Sequence, residues 1–203
     1  MMLIFVRDNL IMRSLEKSDA NKVYAVVNSN RDYLRNWLPW VDGIDSPADY
    51  ENIIATWKKD CDNKNDIILG IFDCGKYVGN IGLHDLKSSN HSGMIGYWLA
   101  EDHQGRGIIS DCVRALVDFA FHTLTLNRIY IHCAVDNKKS RAIPERLGFI
   151  QEGRLQDGEC LYDVFHDLII YGMVKSNWNN GDTLCLVAPS LEDKELARSP
   201  VIL

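Results

Sequence analysis

No apolar run in this 203-residue chain approaches the roughly 18 residues that a membrane span requires, and Met1–Val6 is too short and too lightly flanked for a secretory signal. Membrane residence and export are set aside, which leaves the cytoplasm as the expected compartment. Paired cysteines are missing too. Cys61, Cys74, Cys112, Cys133, Cys160 and Cys185 form no CxxC and no zinc-like spacing with histidine, so reduced, mostly buried thiols are expected and no metal site. An excess of positive charge is also absent. With 22 Lys and Arg against 28 Asp and Glu the formal charge is -6, which argues against a general nucleic-acid binder and suits a cationic partner. Neither internal repeats nor low-complexity segments occur. What is present, 46% hydrophobic and 25% charged residues, fits one soluble domain with a sizeable core.

The residue pattern gives the order of elements. A strand is expected over Leu10–Leu15, followed by a helix that Ser18 can cap and that places Ala20, Val23, Tyr24 and Val27 on one face. Tyr33, Trp37 and Trp40 then crowd around Pro39; they suit the bent aromatic wall of a substrate cleft, and equally the stapling of a helix to a sheet. Ser46, Pro47 and Asp49 mark a helix start. From Asp66 the period changes to strands at 67–72, 77–85 and 93–100, with turns at 73–76 and 88–91, an antiparallel meander. Helices at 110–124 and 138–146 then alternate with strands at 128–135, 149–154 and 163–174. The expected fold is a single α+β domain, a mixed, mostly antiparallel sheet of about seven strands flanked by helices, over residues 1–177. Residues 178–203 lack a core face and read as a tail.

Tyr97–Ser110, YWLAEDHQGRGIIS, joins the end of the meander to a helix. Gly105 and Gly107 would let the backbone approach an anion, and the first N–H groups of the helix are unpaired donors. A glycine turn or helix cap is the plainer alternative. A P-loop would need GxxxxGK followed by Ser or Thr, and a dinucleotide fingerprint would need Gly or Ala where Ser110 stands; neither fits.

A third pattern does fit. Gln104 and Gly107 match Q-x-x-G-x-G/A between strand and helix, with Ile109 departing at the last place, and Asn137, Ser140 and Leu147-Gly148-Phe149 stand at an N-x-x-S/A…GF spacing behind it. In these two motifs the chain resembles the GCN5-related N-acetyltransferases, over roughly residues 8–176, and within them the RimJ/RimL group of ribosomal-protein N-terminal acetyltransferases. The resemblance implies that acetyl-coenzyme A (acetyl-CoA) binds with Trp98 and Leu99 against its pantetheine arm, Gln104, Gly105, Arg106, Gly107, Ile108, Ile109 and Ser110 around its pyrophosphate, and Asn137 beside its amides. It also implies a homodimer.

Acyl transfer to an amine needs a neutral amine, an oxyanion donor and a hydrogen-bond source for the departing thiolate. Members of this fold often carry a tyrosine acid four residues after Ser140, where this chain has Pro144. The resemblance instead points to Ser140 and Glu159 as the catalytic pair. Ser140 would hold the thiolate by a hydrogen bond and can also cap its helix. Glu159, in an expected Asp157-Gly158-Glu159 turn, would take a proton from the amine through water, or stay a solvated surface charge. Cys133 is read mainly as packing, His84 as a reserve base or acceptor contact, and Trp37 and Trp40 as acceptor walls. The expected acceptor is a protein N-terminal α-amine; a small amine such as a polyamine, or a non-catalytic acyl-CoA sensor, are the alternatives.

Overall fold

The computed structural model describes residues 2–86 and 89–178. Among the described residues eight strands form one sheet in the order β1-β2-β3-β4-β5-β6-β8-β7. They are β1 Leu3–Arg7, β2 Leu10–Arg13, β3 Ile67–Asp73, β4 Lys76–His84, β5 Ser92–Leu99, β6 Arg128–Ala134, β7 Ile150–Leu161 and β8 Val164–Val174. Every neighbouring pair is antiparallel except β5 and β6. The helices are α1 Ala20–Ser29, α2 Arg31–Leu34, α3 Pro47–Asp62, α4 Ile108–His122 and α5 Lys138–Arg146.

Two helix starts follow local side-chain chemistry. Ser46 caps α3, Pro47 occupies its first position, and Asp49 Oδ2 accepts from Ser46 N at 2.8 Å, closing a reciprocal capping pair. At α5, Asn137 Oδ1 accepts from Ser140 N at 3.1 Å.

Two apolar layers enclose the sheet. On one face α4 packs Ile108, Cys112, Leu116 and Phe119 against Leu83, Ile95, Ile129 and Ile131. On the other, Val23 and Val27 of α1 and Tyr50 and Ile54 of α3 meet Leu15, Phe72 and Tyr77. Each large apolar side chain fully buried this way stabilises the fold by about 1.5–3 kcal/mol. Alternation along the strands therefore decides which layer a side chain joins.

Four expectations need correction. The sheet has eight strands rather than about seven, because Leu3–Arg7 pairs with β2. The strand expected at 149–154 runs on to Leu161, so Asp157-Gly158-Glu159 is an irregularity within a strand; the reversal falls at Tyr162 and Asp163, both with positive φ. The thiols are not mostly buried: among the described cysteines Cys112 and Cys133 are buried, Cys61 is intermediate, and Cys74 and Cys160 sit exposed at hairpin ends. Trp178, placed at the head of the tail, belongs to the folded body: its Nε1 donates to Asp118 Oδ1 at 2.6 Å and its ring lies edge-on to Phe121 and Phe149. The remaining tail, 179–203, and Ser88 of the turn at 88–91 lie outside the described residues.

Candidate active site

The parallel pairing of β5 with β6 lasts only three rungs, Ser92 with Arg128, Gly93 with Ile129, and Met94 with Tyr130. Beyond them each strand keeps only its outer neighbour, β5 through Leu99 to Gly79 of β4 and β6 through Ala134 to Leu168 of β8. Backbone donors and acceptors on the facing edges are left for another partner. A cleft of about 1100 Å³ occupies this slot, and Trp98 and Leu99 line it.

At one end the slot meets the start of α4. Gly105 and Gly107 have φ of +74° and +76°, the left-handed region that glycine enters without strain. A Cβ on Gly105 would meet nothing within 4 Å, and one on Gly107 only Asp111 Oδ2 at 3.8 Å. The bare backbone thus faces open space. Gly107 is the N-cap of α4 and no side chain caps it, so the first amides of the helix present donors at its positive end. Such a concave, uncapped helix start fits an anionic pyrophosphate. Ile108, Ile109 and Ser110 also line the cleft, and Arg146 Nη1 donates to Ser110 Oγ at 2.9 Å. Gln104 spans the opening: its amide donates to the Tyr33 hydroxyl and its Oε1 accepts from Lys139 Nζ at 3.0 Å. Arg106 turns away, with Nη1 at 3.7 Å from Asp73 and Nη2 donating to the Asp102 carbonyl, and its side chain does not line the cleft.

At the middle of the slot Ser140 sits in a network of protic groups. Pro144 occupies the interior of α5 and has no N–H to offer the Ser140 carbonyl four residues before it. The Tyr97 hydroxyl donates to that carbonyl at 3.0 Å, and Ser140 Oγ in turn donates to the Tyr97 oxygen at 3.3 Å. Cys133 Sγ lies 3.3 Å from Ser140 Oγ. Burial pushes both the Tyr97 hydroxyl and the Cys133 thiol to higher pKa, so both stay protonated near neutrality. Asn137 lines the cleft too, with its side-chain oxygen used by the cap.

Glu159 enters from the far side. The register of β7 against β8 shifts between Leu155 and Glu159, and Asp157 N donates to Asp167 Oδ1 at 2.9 Å. A Cβ on Gly158 would lie 3.0 Å from Leu155 Cδ2 and from Leu168 Cγ, so any larger residue there would need the two leucine side chains to shift. A bulge of this kind re-aims the next side chain. Glu159 reaches the cleft, where burial raises its pKa and nearby His166 opposes the rise. Trp37 also lines the cleft and lies edge-on to His166 at 6.2 Å.

Two expected acceptor contacts lie elsewhere. Trp40 packs on Trp98 at 6.3 Å outside the lining, and His84 is bound through Nδ1 to Asp66 Oδ2 at 3.0 Å, also outside it. Tyr33, expected with Trp37 and Trp40 on an aromatic wall, lines the cleft, and so do Tyr97, Lys139, Arg146 and His132, to which the sequence pattern assigned no role. Strand alternation alone could have found His132: with Ile129, Ile131 and Cys133 facing α4, the residue between the last two must face the other way.

The chain matches the family model described as the acetyltransferase (GNAT) domain over residues 9–150. It is 38% identical over 174 residues to the putative ribosomal N-acetyltransferase YdaF of Bacillus subtilis, covering 85% of this chain and 95% of that protein. With the ribosomal-protein-serine acetyltransferase of Escherichia coli it shares 29% identity over 171 residues, 84% of this chain and 96% of the other. Among solved structures, the microcin C7 self-immunity acetyltransferase MccE in complex with acetyl-CoA and AMP superposes with a TM-score of 0.81 at 30% identity, covering 83% of this chain and 94% of that one. The split sheet, the uncapped glycine-rich helix start and the relatives agree, and the chain belongs to the GNAT acetyltransferase family.

Proposed function

We propose that this protein transfers the acetyl group of acetyl-CoA to an N-terminal α-amine of a protein, with a ribosomal protein as the acceptor class suggested by its named relatives. The observation that carries this reading is the slot itself, with an anion cradle at the α4 end and Trp37 and Glu159 on the far side. The backbone of Gly105–Ser110 would hold the pyrophosphate, and the unpaired edges of β5 and β6 would hold the amide-bearing arm. Acetyl-CoA supplies an acetyl thioester.

Ser140, with its hydroxyl rotated away from Tyr97, would offer a hydrogen bond to the thiolate that leaves acetyl-CoA. A hydrogen bond suffices, since a thiol of pKa about 8.5 is a far stronger acid than an alcohol. Glu159, its proton affinity raised by burial, takes the amine proton through water. An α-amine titrates at about 7.7–8.0 and a lysine at about 10.4, so a weak base serves the N-terminus much better than a lysine side chain. We further propose a cytoplasmic homodimer, for which Leu155, Val164 and Phe165, exposed on the β7–β8 hairpin, offer apolar surface.

Incubation with acetyl-CoA and a panel of N-terminal peptides should release free thiol. Glu159→Gln should lower kcat/KM for the peptide by about 10²-fold, the range of a lost general base, with KM for acetyl-CoA unchanged. Turnover on spermidine with none on any peptide would move the assignment to a small-amine acetyltransferase. CoA binding without turnover on any amine would make the protein a sensor.

A further inference from the structure

Acetyl transfer to an amine, the reading on which this inference rests, leaves one proton to be placed, and the slot contains a second group able to take it. His132 lines the cleft, is half-buried, and has no hydrogen-bond partner for either ring nitrogen among the described residues. Among the described residues its one ring contact is Tyr130, 5.3 Å away and tilted by 42°, whose hydroxyl donates to Asp85 Oδ2 at 2.9 Å. The contact fixes the ring without using its nitrogens. By comparison His84 and His103 each hold a carboxylate.

Register places His132 on the acceptor side. Cys133, its successor, faces α5 and Ser140, so the imidazole projects from the opposite face. His132 pairs with Ile170 of β8, four residues from His166 on the same face, and His166 pairs with Glu159. Trp37, Glu159 and His132 therefore share one side of the sheet, while Tyr97, Ser140 and Cys133 share the other. Two residues past the last β5–β6 rung stand Gly96 and His132. A Cβ on Gly96 would meet only the His84 ring, at 3.6 Å, so no side chain of that residue fills the floor beside the imidazole.

We infer that His132 is a proton acceptor for the incoming ammonium, acting beside Glu159 in the same cleft. The lone pair of an imidazole nitrogen takes a proton from the acceptor's ammonium; the N–H bond breaks, the electron pair stays on the amine, and the imidazole becomes imidazolium. The neutral amine is then the nucleophile. Burial lowers the pKa of His132 and Asp85 opposes that, so the ring is neutral and able to accept near pH 7. The titratable groups around it are Tyr130 on its own strand, Asp85 after β4, His84 with Asp66 across Gly96, and Glu159 and His166 at the hairpin end; Ile170 and Leu168 are its neighbours on β8. Burial pushes Glu159 up and His132 down, so the two titrate closer together than free side chains would.

The test is kcat/KM against pH for wild type, His132→Gln and Glu159→Gln with an acceptor peptide. The wild-type acid limb should contain an imidazole step below the ordinary histidine value of about 6.5. In His132→Gln that step should vanish, and kcat/KM at neutral pH should fall about tenfold or more, with KM for acetyl-CoA unchanged. Glu159→Gln should keep the step. In wild type saturated with CoA, the His132 ring carbon signal in NMR should shift when peptide is added. Turnover with superposable wild-type and His132→Gln profiles would overturn the inference alone, as would a loss confined to KM for acetyl-CoA. Wild type that turns over no amine would overturn the acetyl-transfer reading and this inference together.

Discussion

Pro144 shows how one absent N–H redirects a site. It leaves the Ser140 carbonyl without its helical donor, the Tyr97 hydroxyl takes that place, and α5 becomes tied to β5 across the slot. The motif residues were legible in the sequence because their types and spacing are rare together. Tyr97 and His132 were less so: alternation gives the strand face each occupies, but their roles depend on groups 30 or more residues away. Asp19 is a second residue with a contact set no local pattern reveals: it is buried and receives two hydrogen bonds from the Arg13 guanidinium, at 2.7 and 2.8 Å. These hold its pKa at about 2, below the ordinary 3.8. The unfolded carboxylate binds protons more readily than the folded one, so this contribution is fully present above pH 3.8 and is lost as pH falls toward 2. It amounts to about 2 kcal/mol. Urea titrations of wild type and Asp19→Asn should differ by that amount or more at pH 7, and the gap should narrow as the pH is lowered through this window; a pH-independent gap would refute the assignment.

Among the elements, α4 and its glycine start carry both fold and site. The helix buries one face against the sheet while its first turn stays uncapped. Gly107→Val places a branched side chain at φ +76°, which costs about 1–2 kcal/mol, and blocks the approach of an anion. KM for acetyl-CoA should rise at least tenfold while peptide KM changes little; unchanged cofactor KM would remove the cradle from the site. This helix was readable from its apolar period and its glycines. Two strands were less so. Leu3–Arg7 is a short run with no turn signal behind it except Asn9, and Asp157-Gly158 looks like a hairpin turn although β7 runs on past it, with Asp157 at positive φ inside the irregularity. In both cases pairing with a neighbour decides the structure. Local residue chemistry does not.

At the scale of the molecule, the β7–β8 hairpin exposes Phe165 to 64% and Val164 to 56%. The proposed homodimer should sediment at twice the 23.1 kDa of one chain, and Phe165→Glu should return it to the single-chain mass with CoA binding intact. A wild type of single-chain mass would end that proposal. The sheet itself is two half-sheets, β1–β5 and β6–β8–β7, stitched directly by three parallel rungs. Mechanically they resemble the arms of a clothes-peg whose spring is Ser92–Met94 against Arg128–Tyr130. An amide-bearing arm lying between them would supply the rungs that the polypeptide leaves out. Coenzyme A would then be, in architectural terms, a missing ninth strand, and the protein would reach its full stiffness only while holding it.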